Sequence, residues 1–183
     1  MDNELITVKR EVEAILIPDG TPILIQKDSE VTITQALGGN YTVNINGNLA
    51  QIGAQNADAL GFDVPELITI DEGDVQDGVV NEDLIWKQMR TCYDPEIPVN
   101  MVELGLIYNC TVKKEEDGTK VVNILMTLTA PGCGMGDFLA ADVKQKVAMV
   151  PNVDEVNVEL TFDPPWNQEM MSEAAKLETG MYY

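Results

Sequence analysis

Thr127-Leu128-Thr129-Ala130-Pro131-Gly132-Cys133-Gly134-Met135-Gly136-Asp137 joins a β-branched, apolar stretch, Val121 to Thr129, to a helical pattern that starts just after the glycines. Pro131 stops the extended run, because it can neither donate to a ladder nor continue it. Downstream, Leu139, Val143, Val147 and Val150 recur at helical spacing, which predicts a helix over 135–149 ended by Pro151. Val153 to Phe162 then reads as a strand, with Val156, Val158 and Leu160 alternating. Strand, helix, strand is a βαβ unit, so the two strands run parallel with a right-handed crossover. Both end on one edge of the sheet, the edge at which open α/β sheets bind ligands. Cys133, past the first strand end, is therefore expected beside Asp163-Pro164-Pro165-Trp166, past the second. Thiol, carboxylate and aromatic side chains converge there.

Gly132 and Gly134 remove the side chains that would block access to the Cys133 thiol. N–H groups at a helix N-terminus favour negative charge, so a thiolate here forms more readily than an ordinary pKa of roughly 8.5 implies. That suits a nucleophile or a metal ligand. The same residues also read as a small buried side chain filling a tight turn that the glycines serve. The residues alone leave both readings open.

Working back toward the N-terminus, Asn81 is an N-cap for a helix of about three turns ending near Thr91, with Ile85, Met89 and Cys92 on one face. Gly105 to Lys113 reads as a strand, Glu116-Asp117-Gly118 as a turn and Thr119 to Thr129 as the returning strand. Leu106, Tyr108, Cys110 and Val112 share one side of the first. Cys92 and Cys110 thus read as core residues. Gln168 to Glu178 is helical in composition and ends at Gly180, with Met170 and Met171 packing back onto the domain.

The first part of the chain is β-rich. Val8, Val12, Ala14, Leu16 and Ile17 lead into the turn Pro18-Asp19-Gly20-Thr21-Pro22, followed by extended pieces at Ile23 to Ile25, Val31 to Ala36 and Tyr41 to Ile45. Gly38-Gly39-Asn40 and Asn46-Gly47-Asn48 punctuate them, Asn-Gly being a strong hairpin turn. Strands at this spacing suggest a compact barrel or sandwich. Asp71-Glu72-Gly73-Asp74-Val75-Gln76-Asp77-Gly78 is acidic and glycine-containing and marks the joint. The expected organisation is α+β: a small β-rich N-terminal domain over 1–72, an acidic linker over 73–80, and over 81–183 a compact α/β domain of order α-β-β-α-β plus a C-terminal helix.

Composition excludes several chemistries. The 183 residues carry 31 acidic against 11 basic side chains, a formal charge of −20. Such a surface repels phosphate backbones and anionic lipid, so neither nucleic acid nor a membrane is an expected partner. No apolar run approaches the roughly 18 residues of a span. Met1-Asp2-Asn3-Glu4 is acidic where a secretory leader is basic, so the expected compartment is the cytoplasm. Histidine is absent, which removes Cys–His and Ser–His catalysis and the usual His-containing zinc sites. The three cysteines, at 92, 110 and 133, form no CxxC pair and cannot supply four thiolates from one chain. A permanently bound metal is not expected.

Four motifs carry a family resemblance. Tyr93-Asp94-Pro95-Glu96-Ile97-Pro98-Val99-Asn100, Val102-Glu103-Leu104-Gly105-Leu106-Ile107-Tyr108, Met126-Thr127-Leu128-Thr129-Ala130-Pro131-Gly132-Cys133, and Asp163-Pro164-Pro165-Trp166 with Met171-Ser172-Glu173-Ala174-Ala175 resemble the PaaD-like family of iron–sulfur assembly factors over roughly residues 80 to 180. Ile17-Pro18-Asp19-Gly20 and the run Val31 to Val43 resemble the N-terminal β extension of its SufT branch. The resemblance implies that Cys133 is the reactive family cysteine, that Asp94 and Glu96 lie close to it, and that Thr129 helps hold the turn. Family members often carry proline after this cysteine; Gly134 stands there instead, which loosens the loop. The implied function is help in maturing iron–sulfur proteins as a carrier or adaptor that is not itself an enzyme. Its partners would be iron–sulfur assembly proteins and client apo-proteins.

The bottom-up reading agrees with that implication. One exposed thiolate per chain, with carboxylates such as Asp163, makes a labile site that receives and hands over a transient iron–sulfur cluster. Two chains, each presenting Cys133, would share one cluster as a homodimer, with small thiols completing the coordination. The alternative is a metal-free adaptor whose acidic surface steers basic clients. An enzyme using Cys133 as nucleophile would need Asp94 or Glu96 as base, and a carboxylate of pKa about 4 is poorly matched to a thiol.

Overall fold

A computed structural model describes residues 4–64 and 70–180. Met1, Asp2 and Asn3 of the acidic start lie outside them, as do 65–69 and 181–183. The chain divides into two compact units, Met1–Leu67 with Cys133–Met135 and Ile68–Gly132 with Gly136–Tyr183.

In the first unit the strands β1 (Glu4–Thr7), β2 (Val12–Ile17), β3 (Pro22–Ile25), β4 (Glu30–Leu37), β5 (Asn40–Ile45) and β6 (Asn48–Ile52) form one antiparallel sheet of order β1-β4-β5-β6-β2-β3. The six strands of this unit belong to a single sheet, with β1 and β3 at the two ends of its strand order. β2–β3, β4–β5 and β5–β6 pair as hairpins, and β1 and the β2–β3 hairpin add to the two sides of the β4-β5-β6 meander. The Asn-Gly turn takes the form the sequence predicts, with Asn46 at φ 51° and Gly47 at φ 87°. One face is the core. Ile33, Val43 and Ala50 stand opposite one another in register and are buried. Ala59 and Leu60, from a 3-10 turn over Ala54–Leu60, pack against them. Asn40 anchors that turn by accepting the Ala54 N–H at 3.0 Å.

The second unit carries α1 (Glu82–Met89), β7 (Ile107–Lys114), β8 (Lys120–Met126), α2 (Gly136–Ala148), β9 (Glu155–Leu160) and α3 (Glu173–Thr179). Its sheet has the order β7-β8-β9, with β7 and β8 antiparallel and β8 and β9 parallel. The βαβ unit is therefore as the sequence predicts. Leu139, Val143, Val147 and Val150 are all buried. Asn81 caps α1, its side chain accepting the Asp83 N–H at 3.0 Å. The helix is shorter than the expected three turns, because Thr91 turns its hydroxyl back onto the Gln88 carbonyl at 2.7 Å and the chain leaves the helical path. The expected helix over 168–178 is split: a 3-10 turn spans Gln168–Met170, and α3 begins only after Ser172, whose Oγ accepts the Ala175 N–H at 3.1 Å.

The acidic run is folded onto this unit. A bridge pairs Gln76 with Val79, and the Asn152 amide donates to the carbonyls of both, at 3.0 and 2.8 Å.

Candidate functional site

The site is built at the C-terminal edge of the parallel pair. Met126 and Leu160 stand opposite each other at the strand ends, and the Thr161 N–H donates to the Met126 carbonyl at 2.9 Å. Beyond that point the chain turns through Phe162 and a cis Asp163–Pro164 bond. Thr161 Oγ1 accepts the Asp163 N–H at 3.2 Å, the Tyr108 hydroxyl donates to the Pro164 carbonyl at 2.8 Å, and the Trp166 indole N–H donates to the Leu104 carbonyl at 2.7 Å. Tyr108 lies at the start of β7, on the far side of β8. The 161–166 segment therefore crosses the end of the central strand, with the Asp163 carboxylate exposed.

Thr127 continues from β8 and donates its N–H to the Leu106 carbonyl at 2.8 Å. Thr129 follows, half-buried. Gly132, at φ 81°, is in the left-handed region that glycine adopts without strain. Cys133 comes next, half-buried, with Gly134 and Met135 between it and the first residue of α2.

The other two thiols have different surroundings. Cys92 is fully buried, and burial pushes its pKa far up, with the nearby Asp142 carboxylate adding to the effect. Cys110 lies on the edge strand β7 and is half-buried, less enclosed than its apolar neighbours in sequence suggest. Burial, with a contribution from Glu82, pushes it up to about 11.

Asp94 is buried, and its Oδ1 accepts the N–H groups of Glu96 at 2.8 Å and Ile97 at 3.0 Å. This is the turn-capping geometry that an Asp-Pro pair favours. Burial holds the carboxyl above its ordinary range, the two N–H bonds oppose that, and the Glu96 charge adds to it. Glu96 itself is exposed. The geometry joins Asp94 to Glu96, and the crossing segment brings Asp163 to the strand edge that Thr129 leaves.

Two polar features lay outside the sequence reading. Thr127 is fully buried and its hydroxyl has no hydrogen-bond partner. Lys146 is also buried; its ammonium reaches Asp142 at 2.9 Å and the Thr91 carbonyl at 2.8 Å. The i,i+4 spacing of Asp142 and Lys146 was the available signal. Among the described residues no three His, Cys, Asp or Glu side chains are grouped to hold a metal ion, and no helix is long and apolar enough to cross a membrane.

A family model described as iron–sulfur cluster assembly protein matches residues 82–160. The chain is 52% identical over 99 residues to an Fe-S protein maturation auxiliary factor of Porphyromonas gingivalis, a match that covers 54% of this chain and 90% of that protein. The chain belongs to the iron–sulfur cluster assembly family. Family relatives include the maturation auxiliary factor YitW of Bacillus subtilis, 39% identical over 88 residues, 48% of this chain and 82% of that protein. The auxiliary factor SufT of Staphylococcus aureus is 38% identical over 88 residues, 48% of this chain and 96% of that protein. Cys133, Asp94, Glu96 and Thr129 fall inside the stretch the family model matches, and Asp163 just beyond it. What these three relatives hold outside the match is too short for a counterpart of the six-stranded sheet, so the N-terminal resemblance is not carried by them.

Proposed function

We propose that this chain is an iron–sulfur protein maturation factor that acts as a cluster carrier or assembly adaptor, with Cys133 as its reactive thiolate. The observation that carries the reading is the contrast among the thiols. Burial keeps Cys92 and Cys110 protonated, while Cys133 stands in a glycine-flanked turn of an assembly-family chain. A cluster takes mostly thiolate ligands, typically four. One chain offering one such thiolate suits a cluster in transit, held between two chains with small thiols and passed on. Asp94 sets the 94–97 turn, Thr129 supports the turn that leads to the thiol, and Glu96 and Asp163 supply exposed carboxylates. In this reading 81–183 is the assembly domain, 1–72 the β-rich N-terminal domain and 73–80 the acidic stretch between them. The partners are assembly proteins and client apo-proteins in the cytoplasm.

Anaerobic incubation with iron and sulfide tests it. Absorbance and bound iron should rise in the wild type and fall to background in Cys133→Ala. Equal uptake by the two proteins would remove Cys133 from the reading. The charge of −20 favours a second, metal-free role as an adaptor for basic clients. Capture of assembly proteins that persists in Cys133→Ser and under chelation would select it.

A further inference from the structure

We propose that the outer face of the six-stranded sheet, between β1 and β5, docks an extended cationic polypeptide segment that inserts an apolar side chain. The register places Leu5, Thr32, Asn44, Leu49 and Ile17 in one row across five strands. This row faces away from the core row of Ile33, Val43 and Ala50. Single exposed leucines are ordinary. Here Leu5, 63% exposed, and Leu49, 39% exposed, share a row with the half-buried Ile17. A surface depression of about 720 Å³ opens beside Leu5, lined by Leu5, Thr7, Asp28, Glu30, Thr32 and Asn44 among others. Leu5 thus stands as an exposed apolar side chain at the wall of an otherwise polar and acidic depression.

Charge selects the occupant. The charged groups lining the depression, Asp28 and Glu30, are both negative, and no lysine or arginine occurs from residue 28 through 86. Arg10, in the turn between β1 and β2, is held by Asp58 at 2.6 Å. Spacing selects the form. Thr7 pairs with Glu30 two residues along the strands from the Leu5–Thr32 pair, so the acidic and apolar rows are about 7 Å apart. An extended chain presents side chains to one side at the same interval. A segment lying along the strands would set leucine or valine against Leu5 and Thr32 while the residue two positions on, lysine or arginine, meets Glu30.

Dye-labelled Lys-Val-Lys-Leu-Lys-Val-Lys, read by fluorescence anisotropy against the full chain, tests this. Glu30→Lys with Asp28→Asn should weaken binding by about tenfold or more, whereas Glu155→Lys with Glu159→Gln, the same change in net charge, should alter it less than about twofold. Asparagine is chosen at 28 because Asp28 sits at φ 66°. Leu5→Ser, at an exposed position, and replacement of the peptide's apolar residues by serine should each weaken binding by about tenfold. Equal losses in the two charge variants would overturn the proposal in favour of diffuse attraction, as would binding indifferent to Leu5→Ser. A wild-type dimer that Leu5→Ser dissociates would overturn it in favour of a second copy. Cys133→Ala should leave peptide binding unchanged, so failure here and failure of the cluster reading are separable.

Discussion

The two sheets of this chain end their strands differently. In the antiparallel sheet the turns are closed locally, as at Asn46-Gly47, where the Gly47 N–H returns to Asn44 Oδ1 at 3.0 Å. In the α/β unit the parallel strands β8 and β9 have no such option, because a parallel pair needs a long crossover. Its loops are stitched by side chains reaching distant carbonyls: Tyr108 to Pro164, Trp166 to Leu104, Lys146 to Thr91, Asn152 to Gln76 and Val79. The tight turns make a regular sheet that offers a face. The stitched loops make an irregular edge that offers side chains for chemistry, and Cys92 and Cys110 lie in that unit.

The comparison breaks most readily at Lys146. Lys146→Ala leaves the Asp142 carboxylate buried without its cation and should cost about 3–5 kcal/mol. Urea unfolding followed by tryptophan fluorescence reads the correct unit, since Trp86 and Trp166 are the chain's two tryptophans and both lie in it. Lys146→Met with Asp142→Leu should recover most of the loss. A cost for the single variant below about 1 kcal/mol would mean the stitching does not hold this unit.

Asp94 comes next. Asp94→Ala removes the acceptor of two backbone N–H groups and should cost about 1–2 kcal/mol in the same assay. Asp94→Asn keeps an acceptor and removes the charge. Burial raises the folded pKa above the ordinary 3.8, so the group's stabilising contribution is full below 3.8 and is lost as pH rises through the raised value. Asp94→Asn should therefore be at least as stable as wild type at pH 7 and lose this advantage toward pH 3. An advantage that grows on acidification would contradict the sign.

The smallest effect concerns the acidic run. Asn152→Gly suits the φ of 66° but loses both amide bonds to 76 and 79, at about 1 kcal/mol. Limited proteolysis should cut within 73–79 faster than in wild type. Unchanged cutting would make that stretch a linker indifferent to the unit it lies on.

What was legible followed from local chemistry. The βαβ unit was readable because β-branched runs, Pro131, Pro151 and the Leu139–Val150 stripe all agree. The Asn81 cap and the Asn-Gly hairpin were readable for the same reason. The sheet order β1-β4-β5-β6-β2-β3 was not, because the pairing of β1 with β4 and of β2 with β6 joins residues far apart in sequence. β6 was hidden behind its own turn, its sequence Asn48-Leu49-Ala50-Gln51-Ile52 carrying a single β-branched residue. At the site, Asp94-Pro95 is a local pair that favours the turn found there. The Trp166 and Tyr108 tethers depend on the crossing of 161–166, which no local pattern encodes.

The central claim is that Cys133 is the working thiol of this chain. A short pulse of iodoacetamide on the native protein at pH 7.5, with each cysteine mapped by mass spectrometry, tests it most directly. Cys133 should be alkylated at least about tenfold faster than Cys92 or Cys110, and prior loading with iron and sulfide should protect it. Alkylation of Cys110 or Cys92 at an equal or greater rate, or a Cys133 rate unaffected by loading, would contradict the account.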